Sequence, residues 1–422
     1  MRAKKSLFEA AGAAAVIVAA SCSAGNPTGV ITQKWGAGCS AGAGGLCSFH
    51  APGNPGAGGI LFAASGEVLA LSGYPFPPVN PGDPAFVDGW EVHFTRLLVT
   101  VDDITLSSNP DLSPGDQSQT GPVIARVLGP WAIDLAHADP KNYLPGKGGP
   151  GEEAVPIASL GGASAFATDG TRYAFGFDLI AATTQTTDGR LTMNVNIDAA
   201  GLADYEDMVQ NHCTVFYVGT ATFKGDPGVA GCIDAQHASW PTTVDFRLCF
   251  QSPTSYVNCQ NPDNDPAMAF PNEEHQRGIA FKSDQSVIGQ VTVHTDHPFW
   301  DSVLHDSPAH FDQFAARVVG QDAGTTPTVS LEMTRGVDYT AYSDALGNKL
   351  NWRYCIAPAT DVHSQFTGPM AFDPQSVPAC TNGDPATGLC DYFDYTTYNQ
   401  STQGHLNSDG LCFVKRNYPS PP

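Results

Sequence analysis

Short apolar runs broken by turn residues set the tightest limit on what this chain can fold into. Glycine (44) and proline (33) punctuate the 422 residues, leaving segments such as "GILFAASGEVLALSGY", "WEVHFTRLLVTVDDITL", "TRYAFGFDLIAATT", "CTVFYVGTATFKG", "VDFRLCFQ" and "SVIGQVTVH". Valine and aromatic residues recur in them at period two, the repeat of a strand whose alternate side chains face one core. Proline and glycine stop such strands, one by lacking a ladder N–H and the other by supplying turn conformations. The pattern predicts a mainly β fold, an antiparallel β-sandwich or jelly roll. Alternating strand and helix units are absent, which argues against an α/β fold. Two short helices are expected. One is "LADYEDMV" from Leu202; the other spans 307–319, with Ser307 as N-cap, Pro308 at the first helical position, and Phe311, Phe314, Ala315 and Val318 at core spacing before Gly320.

The opening "MRAKKSLFEAAGAAAVIVAASCSAG" places Arg2, Lys4 and Lys5 before an apolar run from Ala10 to Ala20. This is the pattern of an export signal over 1–21, too short to span a bilayer. Residues 22–58, rich in Gly and Ala, are expected to form a tether. Residues 59–335 are expected to form the β-sandwich, as one domain or two, and 336–422 a loop-rich, disulfide-held lobe. Ala19-Ala20-Ser21-Cys22 resembles the lipobox of bacterial lipoproteins, which implies that Cys22 is acylated and becomes the mature N-terminus. Ser23 after it implies, by the same resemblance, the outer membrane. The phrases "EVHFTRLLVTVDDITL", "HPFWDS" and "AHFDQFAA" likewise resemble an uncharacterised family of exported bacterial outer-membrane lipoproteins. That resemblance covers a small part of the chain, implies location, and transfers no functional residue.

Cysteine parity points the same way. Removing Cys22 from the 11 cysteines leaves an even set. None of the rest has CxxC spacing, so thiolate zinc, thioredoxin-type chemistry and c-type haem lack support. Disulfides in an oxidising compartment are the expectation. The nearest pairings are Cys39/Cys47, Cys249/Cys259 and Cys380/Cys390, with Cys213/Cys232 and Cys355/Cys412 closing longer loops; many other connectivities are open.

With 20 basic against 42 acidic residues, the formal charge is −22. Such a chain is unsuited to nucleic acid, which needs clustered Lys and Arg, and its field attracts cations or basic partners instead. No long apolar segment follows residue 21, so membrane contact is expected through the lipid, with an outer-membrane transporter or another envelope protein as partner.

The stretch "VTVHTDHPFWDSVLHDSPAHFDQFAARVVG" holds four of the 12 histidines. A single histidine at a strand end is most often a hydrogen-bonded structural residue; four together point to a metal. Valines 287, 291 and 293 take the core face, so Thr292, His294 and Asp296 should face away, and Pro298 should hold His297 extended while ending the ladder. The expected ligands are His294, His297, His305 and His310, with Asp296 and Asp301 as carboxylate ligands or ring-orienting partners. Imidazole and carboxylate without thiolate suit zinc or copper(II), and also nickel or iron(II). Glu91 and His93, two apart on the polar face of "GWEVHF", form a second-tier metal pair or an ordinary polar pair. P-loop, HExxH and G-x-S-x-G motifs are absent, and the acidic loops do not match an EF-hand.

The reading is a surface-anchored, transition-metal-binding lipoprotein for capture or delivery, more a binder than an enzyme. The competing reading is a non-enzymatic envelope scaffold that recognises a glycan or protein through Tyr392, Phe393, Tyr395 and Tyr398. A metal-dependent hydrolase ranks third.

Overall fold

A computed structural model describes residues 30–36, 39–80, 82–137, 143–161, 166–233, 237–301, 307–321, 324–338, 344–347, 353–356, 380 and 388–417. The fold is mainly β, as the alternation predicts, with two sheets that mix antiparallel and parallel pairs. The larger sheet is organised on Trp90–Ser107, an 18-residue strand free of Gly and Pro. It pairs antiparallel with Val215–Phe223, Trp131–Asp134, Val123–Leu128 and Arg172–Leu179. Period two then divides its side chains. Leu97, Val99 and Val101 enter the main core, whereas Leu98, beside its cross-strand partner Phe216, packs with Tyr205 and Met208 of the helix Gly201–Gln210. That helix matches the one expected from Leu202.

The smaller sheet runs in the order Gly410–Leu411, Gly404–Leu406, Val287–Val293, Ile60–Ser65, Glu153–Leu160, Leu144–Pro145. Val287–Val293 lies parallel to Ile60–Ser65 and antiparallel to Gly404–Leu406. Both sheets contribute to one apolar core, where Phe62 stacks on Phe175 with ring centroids 6.2 Å apart. The sheets come into close contact at Gly404, where a Cβ would lie 2.4 Å from the Tyr256 ring.

The ends of the chain are woven into these sheets. In the expected tether, Ile31–Lys34 pairs with Val123–Leu128 and Cys47–Ser48 pairs with Met193–Asn194. The expected C-terminal lobe supplies two strands to the smaller sheet, and Phe413–Arg416 pairs with Thr254–Val257 of the larger one. Its aromatic run forms the helix Tyr392–Gln400, capped by Asp391, which accepts from the Asp394 amide at 3.0 Å.

Five disulfides join the ten described cysteines. Cys39–Cys47 and Cys380–Cys390 form as expected, but the others are Cys213–Cys249, Cys232–Cys355 and Cys259–Cys412. Proximity in sequence misleads here because sheet pairing decides which cysteines meet: Cys249 lies opposite Phe216, three residues beyond Cys213. The bonds indicate an oxidising environment, extracellular or periplasmic. Among the described residues no helix is long and apolar enough to cross a membrane.

The second expected helix is shorter than its sequence suggests. Residues 308–310 are drawn into extended backbone pairing: the Asp301 amide donates to Pro308 O and the His310 amide to Phe299 O, at 3.0 and 2.9 Å. Helix begins only at Asp312, runs to Ala315, continues as a 3-10 turn to Val318, and is closed by Gly320 at φ +83°. Ser307 does not cap it. The Asp88 carboxylate does, accepting from the Phe311 and Asp312 amides at 2.7 Å each. Phe311, Phe314, Ala315 and Val318 are all buried, as their spacing predicts.

Asp312 is the polar hub beneath this turn. It accepts from Trp90 Nε1 at 2.8 Å and from Arg353 Nε at 2.6 Å, and a second Arg353 nitrogen makes the pair bidentate. Arg353 is 2 % exposed, so Asp312→Ala leaves a guanidinium buried without its counter-charge. Loss of one partner of a buried pair costs about 3–5 kcal/mol. Urea unfolding of Asp312→Ala should show a loss of that size; a loss below about 1 kcal/mol would show that the pair does not hold the 353–356 segment in place.

Candidate metal centre

The strand Val287–Val293 buries Val291 and Val293 and turns Thr292 and His294 to its other face, as alternation requires. Its pairing ends where the His294 amide donates to Gln403 O at 3.0 Å. A 3-10 turn, His297–Phe299, follows with Pro298 inside it. His297 is thus in a turn and not extended, and the turn swings its ring back until the His294 and His297 centroids are 5.3 Å apart at 76°. Asp296 lies between them in sequence and accepts from Trp300 Nε1 at 3.2 Å. The Trp300 ring stacks on His297 at 3.7 Å.

The hydrogen bonds assign the tautomer of His297. Its Nδ1 is 2.7 Å from Thr402 Oγ1, and that hydroxyl donates its one hydrogen to Asn399 O at 2.7 Å. Nδ1 therefore carries the proton and donates, which leaves the ring's lone pair on Nε2. Histidine ligands are commonly fixed in this way, by a hydrogen bond from the ring nitrogen that does not bind the ion. His294, Asp296 and His297 each offer one ligand atom, and these atoms lie within 4.8 Å of one another.

Three further residues, absent from the sequence reading, complete the cluster. His405 pairs across the ladder with Thr292, so it shares the face of Thr292 and His294, and its ring sits 4.1 Å from that of His294. Glu67 follows Ile60–Ser65, the parallel neighbour, and its Oε1 is 3.4 Å from His294 Nε2. Asp409 follows the turn at Asn407 and Ser408. Glu67, His294 and Asp409 form a second group whose ligand atoms lie within 4.8 Å of one another. Glu67 and Ser408 both adopt left-handed backbone, at φ 63° and 76°, which is uncommon for side chains of their kind. They meet directly: Ser408 Oγ donates to Glu67 Oε1 at 3.1 Å, and Ser408 O is 3.2 Å from His294 Nε2. Burial raises the Glu67 carboxyl above the usual carboxylate range; His294 opposes the shift, while Asp296 and Glu152 add to it. The one sequence signal for this group was the hairpin phrase "HLNSDG", whose turn residues mark a return strand bearing a histidine.

The other expected ligands are elsewhere. His310 and Asp301 do not join the centre, because the extended pairing of 299–301 with 308–310 sets them against each other: His310 Nε2 is 3.3 Å from Asp301 Oδ2, and its Nδ1 is 3.8 Å from Asp88 Oδ2. His305 and Cys22 lie outside the described residues. Glu91 and His93 are 3.6 Å apart on the solvated face, with Lys224 Nζ 3.9 Å from Glu91, the ordinary polar arrangement of a surface. Compared with known proteins, the chain matches no family model, no curated protein and no solved structure.

The His310 system gives a pH signature. Burial works to lower the His310 pKa, but Asp301 and Asp88 outweigh it and the net shift is upward. Burial and the Asp312 charge push Asp88 up to about 7, against the pull of His310 and Arg353. Both groups hold a proton more tightly folded than unfolded, so their contribution is complete below the unfolded values and is lost as pH rises through the folded ones. Stability should therefore fall as pH rises from about 4, the unperturbed carboxyl value, through about 7 for Asp88, with the His310 part of the loss beginning near the unperturbed histidine value of about 6.5. Denaturant midpoints across that range should fall in the wild type and fall less in His310→Gln. Equal slopes in the two proteins would overturn the assignment.

Proposed function

We propose that this is an exported, lipid-anchored protein that binds a divalent transition metal through His294, Asp296 and His297, for capture or delivery at the outer membrane. The observation that carries the reading is the grouping itself: two imidazoles and a carboxylate, His294, His297 and Asp296, each offer a ligand atom within 4.8 Å of the others, and the Thr402–Asn399 relay holds one of the rings in place. All ten described cysteines are in disulfides, so the available donors are nitrogen and oxygen, the set suited to zinc or copper(II). A net charge of −22 draws cations towards the surface. Acylation of Cys22 would supply the anchor, and an outer-membrane transporter or another envelope protein would be the partner. The scaffold reading loses its surface: Tyr392, Phe393 and Tyr395 are buried, and Arg416 covers the Tyr398 ring at 3.9 Å.

Chelator-stripped protein titrated with zinc or copper(II) at neutral pH should bind one ion tightly. Binding should weaken below about pH 6.5, where imidazole in general takes up a proton. Metal at a hundredfold excess over Kd should raise the unfolding free energy by about 2.7 kcal/mol. His294→Ala with His297→Ala should abolish both effects and keep the far-UV spectrum, whereas His93→Ala should change neither. Tight binding that survives the double replacement would refute the proposal.

A further inference from the structure

We infer that the centre has a second, outward coordination position, formed by Glu67, His294 and Asp409, through which a divalent ion passes to reach Asp296 and His297. This rests on the metal-binding reading above and adds a path to it. His294 belongs to both ligand groups, and burial is graded across them. Asp409 is exposed, the Glu67 side chain 21 % exposed, the His294 side chain 12 %, Asp296 part-buried, and His297 fully buried. Asp409 is the most exposed member of either group and His297 the most buried, so the Glu67–His294–Asp409 group lies on the solvent side of His297.

The local chemistry favours a cation at that position. Two ligands about 2.0–2.2 Å from a tetrahedral zinc lie about 3.3–3.6 Å apart, and His294 Nε2 and Glu67 Oε1 are separated by 3.4 Å. Ser408 O lies 3.2 Å from the same nitrogen, so the nitrogen has two oxygens, Ser408 O and Glu67 Oε1, within 3.4 Å of it. The Ser408 hydroxyl sits between two carboxylates, 3.1 Å from Glu67 Oε1 and 3.3 Å from Asp409 Oδ1. It has one hydrogen, so only one of these contacts is a hydrogen bond at any moment, and the other sets oxygen against oxygen. A bound cation would neutralise the charge that gathers there. The Ser408 amide donates to Thr292 Oγ1 at 2.9 Å, which fastens the turn that carries Asp409 onto the face that carries His294.

The test uses the full chain, stripped of metal, with zinc as the probe. His297→Ala, or His297→Gln if the alanine variant does not fold, should keep one zinc site weakened at least tenfold, and adding Glu67→Gln and Asp409→Asn should abolish it. In the otherwise native chain, Asp409→Asn, a surface change, should slow zinc capture from a chromophoric chelator several-fold, whereas Glu332→Gln, the same loss of charge on another element, should not. Complete loss of binding in both His297 variants, a residual site that survives the added changes, or native capture by Asp409→Asn would each overturn the outer position while leaving the inner centre standing. Failure of the wild type to bind zinc or copper(II) would instead remove the metal reading itself.

Discussion

The position of Val287–Val293 in the smaller sheet is the constraint on which the centre depends. Because it runs parallel to Ile60–Ser65, the two strands end on the same side, and the residues just past those ends, Glu67 and His294, emerge together. Because it also pairs antiparallel with Gly404–Leu406, His405 falls opposite Thr292 and the following turn folds back over the same face. Three segments far apart in sequence are thereby brought together by strand pairing and by the bond from the Ser408 amide to the Thr292 hydroxyl. A one-residue slip in either register would turn His405 or His294 into the apolar core. The pairing is itself pinned, since Gly404 leaves no room for a side chain against Tyr256.

Two groups of acids and histidines lie close in sequence but differ in kind. Around Asp312, opposite charges are matched inside the fold: Arg353 and Trp90 donate to it, Asp88 closes the helix turn, and His310 lies between Asp88 and Asp301, all at most 3 % exposed. Charges buried at that depth are tolerated because each has a partner, and an ion would have to displace one. Around His294 the balance differs. Glu67, Asp296 and Asp409 bring three carboxylates to a cluster of imidazoles, Asp409 is open to solvent, and no Lys or Arg is paired with any of them among the described ion pairs. The first arrangement is complete as it stands, and the second has room for a positive charge.

What the sequence discloses here follows from the range of each interaction. Alternation and turn residues act over a few positions, and they foretold the mainly β class, the core face of Val291 and Val293, and the polar face of His294. The turn after Val293 was also foreseeable from Pro298, although it brings His297 round by a 3-10 turn and not by an extended step. Contacts set by sheet order were not legible. His405, Glu67 and Asp409 join the centre through neighbouring strands, and no local pattern links them to residue 294. The early helix start at Pro308 failed for a related reason: the cap that fixes the true start is Asp88, more than two hundred residues away, and backbone pairing with 299–301 holds 308–310 extended before helix can form.

The disulfides fit this division of labour. Two of the long ones end in segments that carry little structure of their own: Cys355 is two residues from Arg353, and Cys412 directly follows the short return strand Gly410–Leu411. Cys232–Cys355 thus secures the guanidinium that balances Asp312, while Cys259–Cys412 secures the hairpin whose turn presents Ser408 and Asp409 to His294. Cross-links of this span act chiefly by limiting the unfolded chain, yet their placement also reduces local opening at the two polar systems, where a shift of an ångström would break the geometry. A chain whose ten described cysteines are all committed to such links has imidazole and carboxylate left as the donors it could offer a metal, and the residues gathered around His294 are of those two kinds.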